Sequence, residues 1–532
     1  GPARNFHIVM RVVFRVDASL KMGTGHVMRC LTLAQVLKEN GVNVEFICRQ
    51  HKGNLINKIV ASGFKVHELN LLKEKEDKAE YKSPYYSWLG VTQQQDANEC
   101  IDILKSLKTS WIIIDHYSLN EDWQIKIKPF CEKIMVIDDL ADQKHQCDIL
   151  LDQTFNRQNS DYSLLVPKSC QLLLGSKYAL LRPEFIKWRE YSLKNRGKIK
   201  LKRLLVSMGG VDIDNMTGQV LKELERFTLP SDINVVVVMG ELSPNLEKIL
   251  AMAKKFPYKI KIKIGVNNMA EIMSRADISI GAAGSTTWER CCLGLPTIQI
   301  IVAQNQAFSA KSLAAHNVIK LAKNAKDAVN LLGNSTEWMR NIGNIASKIC
   351  NGMGVYKVFN KMSDCKITLD KFGEVELCNY VNLNMSDKVF ALNMRNNLQV
   401  KKWMHNQDNI SKKDHLKFIK DLESSVNRRY FLVKQKGNII GSVSFSKIDF
   451  NNSIEFGLYI NPLSQSKGLG MIVEAAASHY AFNELGVNKI KLEVFSNNER
   501  AVNFYNNCGF ELIGIKRVNY QDMLNMEKSN LQ

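Results

Sequence analysis

The apolar run Val12-Val13-Phe14-Arg15-Val16 leads within a few residues to Gly23-Thr24-Gly25-His26-Val27-Met28-Arg29, and a helical pattern follows at once. A buried strand, a glycine turn and a helix start, in that order, open a β-α-β unit, so the chain begins as an α/β protein with a parallel sheet. Glycine lets the backbone come close to a charged ligand, and a helix start offers unpaired N–H groups and a partial positive charge. That positive end disfavours an imidazolium, so His26 is expected to stay neutral and available as a base. A phosphate-adjacent loop that presents a base suits chemistry on a phosphorylated or nucleotide-linked substrate. The same turn in many α/β proteins only packs a helix on a sheet, so other motifs must carry the reading.

Working outward, strand patterns recur at 43–48, 111–115 and 133–138, then at 203–207, 234–239, 260–264, 278–280 and 297–301. Helix-like segments alternate with them, which predicts two Rossmann-like domains. The polar segment 187–202 separates the two sets, and the charged stretch 73–80 reads as a solvated insertion of the first. After a polar connection the pattern changes at Gly373 to a mixed α+β type, with extended segments at 375–383, 430–434, 439–445, 454–460 and 489–495. The expected domains are residues 10–186, 187–360 and 373–532, with a linker at 361–372.

The bulk composition agrees. A length of 532 residues suits three domains of roughly 100–200 residues each, and 45% hydrophobic with 23% charged residues is an ordinary globular balance. No run approaches the roughly 18 apolar residues that span a bilayer, so no membrane partner is expected. The leading Gly-Pro reads as a cleavage scar, with natural sequence starting near Met10. The 12 cysteines show no CxxC pair, which favours free thiols in a reducing cytoplasm, and no ligand spacing calls for a metal. The net charge of +19 is spread along the chain rather than gathered in an aromatic-laced stripe, which argues against nucleic acid and for a lysine-rich surface that also attracts anionic small substrates.

In paired Rossmann-like domains, ligands lie beyond the C-terminal strand ends. Arg15, Asp17 and the His26 turn sit at the first such end, Asp115-His116-Tyr117 at another and Asp138-Asp139 at a third. In the second domain Met208-Gly209-Gly210-Val211-Asp212 ends a strand. Gly281-Ala282-Ala283-Gly284-Ser285-Thr286-Thr287-Trp288-Glu289 ends another, its backbone N–H groups suited to a diphosphate. Glu289 could accept hydrogen bonds from ribose hydroxyls, and Gln304 and Asn305 lie at the next strand end.

These motifs resemble two-domain glycosyltransferase-B-like proteins. More narrowly, Arg15-x-Asp17, Gly25-His26-x-x-Arg29, Asp115-His116-Tyr117 and Gly209-Gly210-x-Asp212 look like the UDP-sugar hydrolases of the pseudaminic-acid pathway, over residues 10–360. The resemblance implies hydrolysis of UDP-2,4-diacetamido-2,4,6-trideoxy-β-L-altropyranose to UDP and free sugar. His26 would be the base, Asp17 or Asp115 would orient it or stabilise positive charge, and Arg15, Gly25, Arg29, Tyr117, Gly210, Asp212, Gly284, Ser285, Thr286, Glu289, Gln304 and Asn305 would bind substrate. Trp288 departs from the asparagine common before the helix glutamate in such relatives. A transferase with an acceptor other than water shares the fold and the histidine, so that reading stays open.

The C-terminal part carries Gln465-Ser466-Lys467-Gly468-Leu469-Gly470 before an apolar helix, then Asn498-x-x-Ala501-x-x-x-Tyr505. A Q-x-x-G-x-G turn opening a helix aims backbone amides at a pyrophosphate, and the pair of motifs resembles the GNAT acetyltransferases. The resemblance implies acetyl-CoA as cosubstrate, held by Tyr459, Ile460, Gln465, Lys467, Gly468, Gly470, Asn498 and Ala501. Tyr505 would protonate the leaving thiolate, Glu455 would accept the amine proton, and the segment from Met394 to Met404 would shape the acceptor side. A partner enzyme of the same pathway acetylates UDP-4-amino-4,6-dideoxy-N-acetyl-β-L-altrosamine, and its product is the hydrolase substrate. The joint expectation is a bifunctional cytoplasmic enzyme acting on a UDP-activated amino sugar, in the setting of bacterial flagellin glycosylation. A non-catalytic nucleotide-sugar sensor or scaffold is the other class.

Overall fold

The computed structural model describes residues 10–71, 85–197, 200–302, 306–450, 452–464 and 466–530. The first sheet comprises β1 (Arg11–Val16), β2 (Asn43–Arg49), β3 (Lys65–Leu69), β4 (Trp111–Asp115), β5 (Lys133–Ile137), β6 (Ile149–Asp152) and β7 (Gln171–Leu174), in the order β3-β2-β1-β4-β5-β6-β7. The second comprises β8 (Arg203–Ser207), β9 (Asn234–Met239), β10 (Lys259–Ile264), β11 (Ile278–Ala282), β12 (Thr297–Ile300) and β13 (Lys320–Ala322), in the order β10-β9-β8-β11-β12-β13. Their registers are parallel, with Val13 beside Ile112 and Leu204 beside Ile278. Val12, Val13 and Phe14 are all fully buried, so successive residues facing opposite sides are both covered, as a parallel sheet between helix layers requires.

Strand order reverses between β1 and β4 in the first sheet and between β8 and β11 in the second. The strand ends at these two switch points are where a doubly wound sheet leaves a crevice for ligand. The third sheet is mixed: β14 (Cys365–Leu369), β15 (Gly373–Asn379), β16 (Arg429–Gln435), β17 (Asn438–Ser446), β18 (Ser453–Ile460), β19 (Lys489–Phe495), β20 (Glu511–Val518) and β21 (Gln521–Ser529), ordered β14-β15-β16-β17-β18-β19-β21-β20. Only β18 and β19 run parallel, and they pair over Ser453, Ile454 and Glu455 before their ladder stops. The helix Leu469–His479 covers this sheet, burying Leu469, Val473, Ala476 and Ala477 in its core.

By packing, Arg11–Gln35 and Val44–Val355 form one compact unit, holding the first two sheets. Val36–Asn43 and Tyr356–Gln532 belong to the other, holding the third. The boundary expected at residue 187 falls inside the helix Pro183–Asn195, and the expected linker contains β14. Both segments are polar because one face of each meets solvent: Phe185 is buried while Lys194 is not, and Ile367 and Leu369 are buried while Lys366 is not. The expected insertion at 73–80 lies outside the described residues.

Candidate active sites

The turn after β1 brings Gly23 to φ +77°, a left-handed conformation that glycine adopts without strain, and the helix Gly25–Glu39 starts two residues later. His26, 8% exposed, therefore stands at the first-sheet switch point beside Asp115, the last residue of β4. Its Nδ1 lies 2.7 Å from Asp115 Oδ1. A carboxylate only accepts, so Nδ1 carries the proton and Nε2 presents its lone pair, with no partner among the described residues. Arg29, one turn along the helix, donates to Asp115 Oδ2 through Nε at 2.6 Å and to Oδ1 through Nη2 at 2.8 Å. Burial pushes the Asp115 carboxyl up, but Arg29 and His26 outweigh it and hold it well below the ordinary range.

Arg29 also meets Asp139, at 3.0 and 2.8 Å, and the Tyr117 hydroxyl donates to Asp139 Oδ2 at 2.6 Å. With its guanidinium spent on two carboxylates and 6% exposed, Arg29 is a structural clamp here rather than a free substrate-binding group. Arg15 is likewise corrected: it is fully buried between Asp17 and Asp96, with contacts of 2.7 and 2.6 Å, and cannot reach a ligand. Asp17 does not meet His26. It is fully buried and accepts from Arg15, from the Arg49 backbone at 2.7 Å, and faces His51 and His116 Nε2 at 3.2 and 3.0 Å. Of the two aspartates expected near the imidazole, the fold brings Asp115.

Across the cleft, the glycine turns of the two sheets approach one another. A Cβ on Gly25 would lie 3.6 Å from Ser285 Oγ, and one on Gly210 would collide with Thr24 Oγ1. Gly284 takes φ +136° just before Ser285 and Thr286 start the helix Thr286–Cys292. Glu289 on that helix is half-buried, 3.8 Å from Arg182, and burial lifts its carboxyl to about 7 against the opposing arginines. Trp288 is 4% exposed and packs in the core. Asp212 turns inward: it meets the start of the helix Met216–Glu225, accepting from Met216 N at 2.8 Å and Thr217 N at 2.9 Å. Its carboxylate thus accepts from the first N–H groups of that helix and from the Thr217 hydroxyl, ahead of Asn215 at the N-cap. Gln304 and Asn305 lie outside the described residues. Asp96, Arg49 and His51 complete the network and carry no spacing signal, because Asp96 comes from the helix Gln93–Leu104 and the other two from the end of β2.

In the third sheet, Tyr505 lies on the helix Glu499–Asn507 and is 8% exposed. Its ring meets Phe456, Phe504 and Phe510, and its hydroxyl has no hydrogen-bond partner among the described residues. Burial, then Cys508 and Glu474, keeps the phenol protonated well above its ordinary range. Asn498 caps the same helix, its Oδ1 accepting from Ala501 N at 3.3 Å, which leaves its amide N–H groups free for other partners. Gly468 takes φ +79° before the helix Leu469–His479, Gly470 sits against Phe504, and Lys467 is exposed. Gln465 lies outside the described residues. Glu455 is the last β18 residue paired with β19, and it is held 3.0 Å from Lys447. Ile460 is exposed at the strand end, whereas the Tyr459 hydroxyl lies 3.4 Å from that of Tyr380 and faces the side where Arg395 stands. No group of three or more metal-ligating side chains occurs among the described residues.

Residues 203–339 match the glycosyltransferase family 28 C-terminal domain, and residues 397–510 match the acetyltransferase (GNAT) family. The chain is 30% identical over 306 residues to the UDP-2,4-diacetamido-2,4,6-trideoxy-β-L-altropyranose hydrolase of Campylobacter jejuni, covering 57% of this chain and 96% of that protein. It is 34% identical over 138 residues to acetyltransferase PseH of Campylobacter jejuni, covering 26% of this chain and 85% of that protein. The crystal structure of Acinetobacter baumannii MurG shares the fold at TM-score 0.50 and 14% identity, over 66% of this chain and 99% of that one.

Proposed function

Because this chain belongs to the UDP-2,4-diacetamido-2,4,6-trideoxy-β-L-altropyranose hydrolases over its first two sheets and to the PseH-type GNAT acetyltransferases over its third, we propose that it joins two consecutive steps of pseudaminic-acid biosynthesis. It is an enzyme with two activities, an acetyl-CoA-dependent N-acetyltransferase and a UDP-sugar hydrolase. In the first step the 4-amino group of UDP-4-amino-4,6-dideoxy-N-acetyl-β-L-altrosamine attacks the thioester of acetyl-CoA. The amide bond forms, the C–S bond breaks, and coenzyme A leaves. Tyr505 donates its proton to the departing thiolate, a role its protonated, half-sealed hydroxyl supports. Glu455, directly or through water, takes the proton lost by the amine. The turn of Lys467, Gly468 and Gly470, with Gln465, holds the pyrophosphate of the cosubstrate, and Asn498 and Ala501 its pantetheine arm.

In the second step water attacks the anomeric carbon through an oxocarbenium-like transition state, and the bond from that carbon to the diphosphate oxygen breaks. His26 Nε2 takes the water's proton, and Asp115 orients the ring and stabilises the imidazolium that forms. The Asp115–His26 pair at the switch point, with Nε2 unengaged, is the observation that carries this reading. Gly25, Gly210, Gly284, Ser285 and Thr286 serve the diphosphate, Glu289 takes the ribose hydroxyls, and Tyr117, Gln304 and Asn305 are further substrate-binding residues. The 12 free thiols support a reducing, cytoplasmic setting, with bacterial flagellin glycosylation as the use of the product.

One reaction in ¹⁸O-water, with the UDP-4-amino sugar and acetyl-CoA, tests both steps by mass spectrometry. Acetylation followed by label in the free sugar and unlabelled UDP is the expected outcome. Label in UDP would mean attack at phosphorus. Acetylation without UDP release would point instead to a transferase lacking its acceptor.

A further inference from the structure

The geometry points to Asp139 as a positioning residue for His26, an inference that rests on His26 being the hydrolytic base. Five side chains close into a ring. His26 Nδ1 binds Asp115 Oδ1 at 2.7 Å, and Arg29 grips both oxygens of Asp115. Asp139 grips Arg29 through both of its own oxygens, at 3.0 and 2.8 Å. The Tyr117 hydroxyl donates to Asp139 Oδ2 at 2.6 Å, and the Tyr117 ring returns to the imidazole edge-on, with centroids 4.7 Å apart and planes at 88°. Asp139 thus holds the two groups that touch the imidazole or its carboxylate partner, and it does so from the end of β5, the strand next to β4.

A competition at Asp115 makes this hold necessary. Arg29 Nη2 and His26 Nδ1 both converge on Asp115 Oδ1, at 2.8 and 2.7 Å, and stand only 3.4 Å from each other. A guanidinium with one carboxylate would be free to move onto that oxygen and displace the imidazole N–H. Asp139 shares Arg29 Nη2 at 2.8 Å and anchors it on the far side. The Asp139 backbone is itself fixed, its carbonyl accepting from Arg157 Nη2 at 2.6 Å. Loss of the Asp139 charge therefore loosens Arg29 and Tyr117 together and lets the imidazole rotate from the angle at which Nε2 meets water. A misplacement of about 1 Å costs on the order of 100-fold in rate.

The test uses the full chain and the pre-acetylated UDP-sugar. Asp139→Asn is expected to lower kcat for UDP release by about 10- to 100-fold while KM and the Kd for UDP stay within about twofold. The decisive comparison is in the His26→Ala background, where Asp139→Asn should bring no further loss because the ring it aims is gone. A full extra loss there, a raised KM, or an unchanged kcat in the single variant overturns the inference. An active His26→Ala protein overturns the reading of His26 beneath it instead. Should Asp139→Asn fail to fold, Tyr117→Phe removes the hydroxyl that binds Asp139 and keeps the ring against the imidazole. It should reproduce a smaller kcat loss that also vanishes without His26, and an additive loss counts against the inference.

Discussion

Glu289 is a carboxyl whose charge the fold moves into the working pH range. Burial lifts it to about 7 from the ordinary 4.5, so between those values the folded chain holds a proton that the unfolded chain has released. The stabilising contribution of that proton is full below 4.5 and disappears as pH rises through about 7. Glu289→Gln, which keeps the neutral form at every pH, should therefore match the parent's Tm at pH 4 and exceed it at pH 8. Nucleotide binding should run the other way, since only the ionised carboxylate accepts strongly from ribose hydroxyls. The Kd for UDP should tighten from pH 6 to 8 in the parent and stay flat in Glu289→Gln, as calorimetry would read. Tyr505→Phe removes one hydroxyl from an aromatic cluster and should cost acetylation about 100-fold or more, leaving hydrolysis of pre-acetylated substrate unchanged. The placement of His26 beside a glycine turn and of Tyr505 one turn after Ala501 is legible in the chain order, because both are local patterns. The burial of Arg15 is not, because its partner Asp96 comes from 81 residues further on and only the fold brings the two together.

At the scale of elements, the two glycine turns come closest at Gly210, which lies against Thr24. Gly210→Ala would drive a methyl group into Thr24 Oγ1, so the Thr24 side chain must turn aside or the turns separate. Overpacking of this kind costs about 1–3 kcal/mol, and we expect Gly210→Ala to lower kcat/KM for UDP release more than it lowers Tm, measured on the same preparation. Strand positions such as Arg203–Ser207 and Asn234–Met239 follow from apolar runs, and Lys489–Phe495 from strict alternation. The strands Ile149–Asp152 and Gln171–Leu174 escaped notice, since four residues rich in leucine fit a helix as well as a strand. The strand Cys365–Leu369 is hidden for the opposite reason: Lys366 and Thr368 on its open face read as connection. Asp212, which follows two glycines, also accepts from the first N–H groups of its own helix, a contact that its place three residues before the Asn215 cap allows.

For the whole molecule, the two sites draw on separate compact units, so each should fail alone. His26→Ala supplied with the 4-amino sugar and acetyl-CoA should accumulate the acetylated UDP-sugar, and Tyr505→Phe should accumulate none of it while still cleaving it when it is added. Chromatography of the nucleotide-sugar pool reads both, and loss of both activities in either variant would show that the units do not act separately. The order of the chain determined the α/β class, the glycine turns and the places of His26 and Tyr505, because strand period, turn chemistry and helix starts are local properties. Only the tertiary structure decided that His26 takes Asp115 rather than Asp17, and that Arg15 and Arg29 spend their charge inside the protein. Those choices depend on which strand ends lie side by side, and the reversal of strand order between β1 and β4 sets that across 89 residues.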